Sequence, residues 1–423
     1  MGGGLIQIVT YGTQDIYLTG NPQITFFKVV YKRHTNFSIE SIEQTFNGAL
    51  TFGSTTTCEL SRNGDLINKM YLQVELPALA QAVNNGSNST FVHWVNGVGN
   101  AIIKKLDLLI GGLLIDSHYA EWLDIWSELN IGSDQKSAYN EMVGYYNSTI
   151  GMQNNATSSS RYYVPLQFFF NRNPGLALPL IALQYHEVVI KLEIEELNNL
   201  IISDANPAFN DPRESTNTST ATISSCSLWV DYIYLDKDER SRFAKINHEY
   251  LIEQVQHLGS ENVDINATSK KVDINYNHPV KSIHWVIQDN IYLASNTLTG
   301  NNKLKYICNT ANVIDTFDNV KMVFNNSDRF RERNADYFRL VQNYQHSKVA
   351  PSKTIYSYSF GLRPYEHQPS GSCNFSRLDT SHLLFKFNAT VHTPNTEKTI
   401  KVYAVNYNVL RISNGMGGLA FSN

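Results

Sequence analysis

The sequence predicts an all-β protein: two tandem jelly-roll β-sandwiches, a double jelly roll, with short helices in the loops. Three observations lead there. At 423 residues the chain is too long for one ordinary core and suits two units of about 200 residues. Its apolar runs are short, rich in β-branched and aromatic residues, and cut by Gly, Pro and Asn turns, which favours strands over helices. One order of elements also occurs twice. Tyr162 to Glu196 reads as a strand over Val164 to Phe170, a loop on Asn173-Pro174-Gly175, and a strand pair ending in VVIKLEI. Thr354 to Phe387 repeats that plan and ends in LLFKF.

Composition narrows the class. Charged residues are 17% of the chain and aromatic residues 12%, a balance that suits sheets with a surface covered by other subunits. The formal net charge of −4 lacks the concentrated basic face needed to grip a nucleic-acid backbone, so no direct nucleic-acid contact is expected. Cys58, Cys226, Cys308 and Cys373 are scattered without a C-x-x-C, as free thiols made in a reducing compartment would be. No apolar run approaches the ~20 residues that span a bilayer. The opening MGGGLIQIVTYG has no signal-peptide pattern, so synthesis in the cytosol is expected.

Taken in order, residues 1–23 form an N-terminal arm with Asp15 as its one charged residue. QITFFKVVYKRHTNFSIESI (Gln23 to Ile42) reads as a first strand, and Met70 to Leu76 alternates as a half-buried one. KLDLLI and LLI form a hairpin about Gly111-Gly112. A helix follows with Ser117 as N-cap and Trp122, Leu123, Trp126 and Leu129 on one face. Residues 130–161 and 204–225 read as long polar insertions. Ser227 to Asp236 closes the first unit (24–236), and KDERSRFAK (Lys237 to Lys245) opens the second (237–423) as a solvated helix.

The repeat can be checked residue by residue. NVKMVFNN matches KLDLLIGG, with Asn325-Asn326 in place of Gly111-Gly112. Adding 215 to Ala120, Trp122, Leu123, Trp126 and Leu129 gives Ala335, Tyr337, Phe338, Val341 and Tyr344. The closing strands WVDYIYL (229–235) and AVNYNVL (404–410) also correspond.

Chemistry is sparse, and no enzyme, metal or cofactor is expected. His186-Glu187, His248-Glu249, His278 and His284 form neither H-E-x-x-H nor a zinc spacing. The pairs Glu193/Glu195 and Asp236/Asp238 have the spacing of two carboxylates on one strand face, but read as ordinary surface. Gly111-Gly112 and Gly417-Gly418 read as turns and not as phosphate loops. Among the N-x-S/T sequences, Asn88, Asn147 and Asn155 fall in long loops and are the candidate glycosylation sites. A jelly-roll carbohydrate-binding or host-attachment protein is the alternative function. Its ring patch would be Trp94, Tyr145 and Tyr146.

VTYGTQDIYLTGNPQITFFKVVYKRHTNFSIESI closely resembles the major capsid protein of the nucleocytoplasmic large DNA viruses, nearest to that of the algal viruses (phycodnavirus type). So do RYYVPLQFFFNRNPGLALPLIALQYHEV, WVDYIYLDKDERSRFA, RPYEHQPSGSCNFSRLD and YNVLRISNGMGGLA. The resemblance runs from residue 5 to the end and weakens in loops 77–100, 130–160, 203–225 and 288–315. It implies a homotrimer of double jelly rolls whose six lobes make a pseudo-hexagonal capsomer. Such capsomers tile the icosahedral capsid of a large dsDNA virus beside neighbouring capsomers, minor capsid proteins and penton proteins. It also implies that Gly2 to Pro22 point towards the internal membrane, that 77–100, 130–160 and 288–315 face outward, and that the protein resides in the virion after assembly in the host cytoplasm.

Overall fold

Short β-branched runs broken by tight turns pair antiparallel throughout the computed structural model, which describes residues 3–27, 31–48, 50–79, 92–203, 221–293, 302–306, 315–387 and 397–422. The chain divides into two units, Met1–Phe37 and Ser38–Asn423. The strands begin with β1 (Phe37–Thr45), β2 (Thr55–Glu59), β3 (Leu66–Leu76), β4 (Val92–Trp94), β5 (Ile103–Ile110), β6 (Leu113–His118) and β7 (Ser160–Pro165). The first half ends with β8 (Leu178–Pro179), β9 (Val188–Ile194), β10 (Ile201–Ser203) and β11 (Ser225–Leu235). The second half holds β12 (His248–Val263), β13 (Ser269–Asp273), β14 (Pro279–Asp289), β15 (Asn319–Phe324) and β16 (Ser327–Asn334). It continues with β17 (Tyr356–Ser359), β18 (Cys373–Asn374), β19 (Ser381–Lys386), β20 (Lys398–Ser413) and β21 (Met416–Leu419).

The two halves repeat one topology. The first-half sheets run β1-β11-β3-β7, with β8 on β3, and β2-β9-β5-β6; β4 and β10 form an extra pair. The second-half sheets run β12-β20-β14-β17, with β18 on β14, and β13-β19-β15-β16. Each shared strand thus has its counterpart in the same chain order and sheet position. In both halves two sheets meet across an apolar core: Met70, Leu72 and Val230 against Leu106, Ile190 and Leu192, then Ile283, Trp285 and Ala404 against Met322, Leu383 and Phe385. These are two tandem jelly rolls.

The hairpin turns repeat as well. Gly111 and Gly112 have φ of 58° and 81°, and Asn325 and Asn326 have 46° and 62°, the left-handed pair that a two-residue hairpin turn needs. A Cβ on Gly111 would lie 2.4 Å from His186 Nδ1, whereas one on Gly112 would meet nothing within 4 Å. Gly112→Ala should therefore cost only the left-handed penalty of about 1–2 kcal/mol, and Gly111→Ala more, as urea unfolding of the two variants will show. Equal losses would mean that the His186 ring moves aside freely.

Several local expectations are corrected. The first strand begins at Phe37 and not at Gln23; before it, Tyr31, Lys32, Arg33 and His34 are all exposed, with no apolar face to bury. The strand expected over Val164 to Phe170 stops at Pro165, and Phe169–Arg172 form a helical turn. There Asn171 Oδ1 accepts from the Phe168 N–H at 3.1 Å, and three successive phenylalanines are buried, which strand alternation cannot do. The polar insertion 130–161 contains helices Ser133–Val143 and Thr149–Ala156. Tyr119, not Ser117, precedes helix Ala120–Asn130, because the Ser117 hydroxyl donates to Asp107 Oδ1 at 2.6 Å across the hairpin.

Gly417 and Gly418 lie in β21; the turn is Asn414-Gly415, with φ of 53° and 81°. The C-terminal tail docks on both halves: Ala420 N–H donates to Val409 O at 2.8 Å, and Tyr185 N–H of the first half donates to Gly415 O at 3.0 Å. The helix Lys237–Lys245 forms as expected, capped by Asp236 Oδ1 on the Lys237 N–H at 2.7 Å.

The unit Met1–Phe37 contains helices Gly3–Val9 and Ile16–Thr19, neither of which buries a residue. Leu5, Ile8, Tyr17, Leu18, Phe26 and Phe27 are among its exposed side chains.

Candidate assembly surfaces and the seam between the halves

Helix Ala120–Asn130 has two apolar faces. Ala120 and Leu123 enter the first-half core. Trp122, Ile125 and Leu129 instead meet Val255, Val286, Ile355, Tyr403 and Val405 of the second half, forming a separate buried cluster. The receiving surface is the outer face of the β12-β20-β14-β17 sheet, since Tyr403 and Val405 alternate with the core residues Val402 and Ala404.

Charge borders this seam. Lys353 Nζ reaches both Asp124 oxygens at 2.7 Å, with side-chain exposures of 10% and 6%. Lys401 pairs with Glu121, and Lys303 with Glu195. Ser352 donates to Glu128 Oε2 from its N–H at 2.9 Å and its hydroxyl at 2.7 Å. Burial pushes Glu121 up, but Lys401 outweighs it and holds the carboxyl below the usual glutamate range. Burial likewise opposes the Lys353 charge, yet the Asp124 carboxylate keeps that ammonium above the ordinary lysine range.

Beside the seam opens a cleft of about 760 Å³, lined by Trp126, Arg172, Glu253, Lys281 and Tyr365 among others. Arg172 at 2.9 Å and Lys281 at 2.5 Å both engage Glu253, and burial holds Lys281 below the ordinary lysine range despite that partner.

His284 lies at the seam's edge, fully buried between the Ser357 hydroxyl at 2.9 Å and the Ser282 hydroxyl at 3.0 Å. Burial first, then Lys281, pushes its imidazole down to about 3. A depressed histidine leaves the folded state neutral while the unfolded chain takes a proton. Stability should therefore fall as pH drops below about 6.5, by about 1.4 kcal/mol per pH unit, until about pH 3. Urea titrations at pH 7, 5 and 4 should show a shallower slope for His284→Gln; the same slope in both proteins would place that proton elsewhere.

The other sequence-flagged groups do not converge. Among the described residues no three His, Cys, Asp or Glu side chains are grouped to hold a metal. His186 Nδ1 lies 3.0 Å from Gly417 O, and His248 Nε2 lies 2.7 Å from Phe243 O. Glu193 pairs with Lys104 at 2.7 Å and Glu195 with Lys303, while Asp236 is a helix cap. Cys58 and Cys226 are buried free thiols, pushed by burial to about 11 and about 12; Cys373 is half-buried, and Cys308 lies outside the described residues.

Of the candidate glycosylation sites, Asn88 lies outside the described residues and Asn147 is exposed. Asn155 is half-buried and donates from Nδ2 to Tyr162 Oη at 2.6 Å. The ring patch proposed for carbohydrate binding does not form as expected, because Trp94 is buried against Phe52 with centroids 6.1 Å apart.

A duplicated sandwich whose copies are joined by a buried seam defines a structural building block. Comparison with known proteins names the family. The N-terminal domain of major capsid proteins matches residues 25–236, and the large eukaryotic DNA virus major capsid protein domain matches residues 239–418. The chain is 45% identical to the major capsid protein of Pyramimonas orientalis virus and 37% identical to that of Paramecium bursaria Chlorella virus 1, over the full length of both chains in each case. It is also similar to the crystal structure of PBCV-1 VP54 fitted into a reconstruction of the virophage Sputnik (TM-score 0.76, 34% identity), over 94% of this chain and 100% of that one. The chain belongs to the major capsid proteins of large eukaryotic DNA viruses, and its function is to build the capsid.

Proposed function

We propose that this chain builds the shell as a homotrimeric, pseudo-hexagonal capsomer, without catalytic activity. The observation that carries the reading is the one-to-one repetition of strand order in the two halves. Three chains with two like lobes each present six lobes, and a block of near-sixfold outline tiles a facet. The lobes are residues 24–236 and 237–423. Residues 1–23 form an arm towards the internal membrane and minor capsid proteins, a role that suits exposed Leu5, Ile8, Tyr17 and Leu18. Neighbouring capsomers and penton proteins complete the contacts, after synthesis in the host cytoplasm. Asn147 is the more accessible glycan acceptor, since Asn155 spends its amide on Tyr162. Light scattering on the purified protein tests the reading: the expected mass is three times the 47.9 kDa chain, and a single-chain mass at micromolar concentration overturns it. A chain lacking residues 2–22 should still associate as three chains but form shells less readily.

A further inference from the structure

The seam inside one chain has an unsealed counterpart in the second half. Adding 215 to the helix residues that enter the first-half core, Ala120 and Leu123, gives Ala335 and Phe338, both buried in the second-half core. Adding 215 to the seam residues Ile125 and Leu129 gives Leu340 and Tyr344, which are 53% and 86% exposed. The same two-faced element thus occurs twice. In the first half its outer face is sealed by the second half of the same chain; in the second half Tyr337, the counterpart of Trp122, folds back half-buried on its own core, and Leu340 and Tyr344 are left bare. A groove of about 450 Å³ lies against them, lined by Leu340, Val341, Tyr344, Ala350 and Pro351 among others.

The complementary surface is also duplicated. A bulge aligns the two receiving sheets: Val230 pairs with Met70 and Tyr232 with Ile67, while Ala404 pairs with Ile283 and Asn406 with Val280. On that alignment Tyr403 corresponds to Trp229, Val286 to Gln73 and His284 to Tyr71. These three first-half residues are only half-buried, and Tyr163 beside them is 38% exposed. Aromatic rings at both surfaces suit a contact anchored by desolvated rings.

We propose that Leu340 and Tyr344 of one copy dock on the Tyr71, Gln73 and Trp229 face of the next copy, repeating between chains the contact that helix Ala120–Asn130 makes within one. The inference rests on the trimeric reading and names its interface. A head-to-tail contact of this kind closes a ring of three chains and six lobes. Its chemistry differs from the seam in one respect. The positions equivalent to Glu121, Asp124 and Glu128 are Asp336, Arg339 and Asn343. Arg339 is already paired with Asp315 at 2.7 Å, and Asn343 donates to Arg339 O and Ile355 O. The contact between copies is therefore mainly apolar, and its strength should change little with salt.

Light scattering on the full chain tests this with two variants, L340D/Y344D and Y71D/Q73D. Each is expected to keep the wild-type thermal midpoint and drop threefold in mass to one chain. Mixed together, they should form a two-chain species and stop there, because the mixture supplies one intact contact and cannot close a ring. Three-chain masses for both variants overturn the assigned face while leaving the trimer standing. A single-chain wild type overturns both. Should Y71D/Q73D unfold, L340D/Y344D decides alone, since side chains this exposed contribute little to the fold of one chain.

Discussion

Replacing Trp122 by alanine is expected to lower the unfolding free energy by about 3–5 kcal/mol, the range for emptying a fully buried aromatic site. The indole is 1% exposed and lies 5.9 Å, centroid to centroid, from both Tyr403 and His284 across the seam. Neither half can refill that volume alone, because one wall belongs to each. Phe338→Ala should fall in the same range, since Phe338 is fully buried against Trp285 at 5.2 Å and Phe330 at 5.4 Å. Tyr337→Ala should cost less, because Tyr337 is only half-buried. Urea unfolding of the three variants gives the ranking. A further outcome separates seam from core: Trp122→Ala should also lower the dependence on urea if the halves begin to unfold apart, whereas Phe338→Ala should not. A loss below about 1 kcal/mol for Trp122→Ala would mean the seam closes over the gap.

Part of this ranking is legible in the sequence, and part is not. The hairpins about Gly111-Gly112 and Asn325-Asn326, the strand VVIKLEI and the helix Lys237–Lys245 are all local matters of turn chemistry and period, and all form. The helix stripe is different. Trp122, Leu123, Trp126 and Leu129 read as one apolar face, yet Leu123 serves the first-half core while Trp122 and Leu129 serve the seam. Hydrophobic period reports that a residue is covered, not what covers it. The same limit explains Val341 and Tyr344, which match half-buried Trp126 and buried Leu129 in sequence but are 40% and 86% exposed. The closing strands fail for a second reason. Aligned by letters, WVDYIYL meets AVNYNVL, but the bulge pairs place Val230 opposite Ala404, one residue away. A one-residue slip exchanges core and outer faces, and composition alone does not detect it. Trp94 leaves the ring patch that its loop position suggests because its cover comes from Phe52, far away in sequence. Of the assembly surfaces, the arm's lack of charge was legible, whereas the seam required the fold.

The second large effect concerns Asp124 and Lys353. Replacing Lys353 by methionine is expected to cost about 3–5 kcal/mol, because it leaves the Asp124 carboxylate buried without its counter-charge. Asp124→Leu should cost a similar amount by stranding the ammonium, which also lies 4.9 Å over the Tyr145 ring and 5.6 Å over the Tyr306 ring. The double variant should recover most of the loss, since two apolar side chains need no desolvated partner. The coupling measured by this cycle is thus expected to be large and favourable, although the pair's net worth against an apolar replacement is small. That asymmetry bears on assembly. A contact that tolerates no single unpaired charge specifies one arrangement of the two halves, and a shell subunit needs a fixed angle between its lobes more than it needs surplus stability. Additive losses, with the double variant as unstable as the sum of the singles, would show that the pair acts through packing around Tyr306 and not through charge, and the fixed angle would then rest on Trp122 and its neighbours.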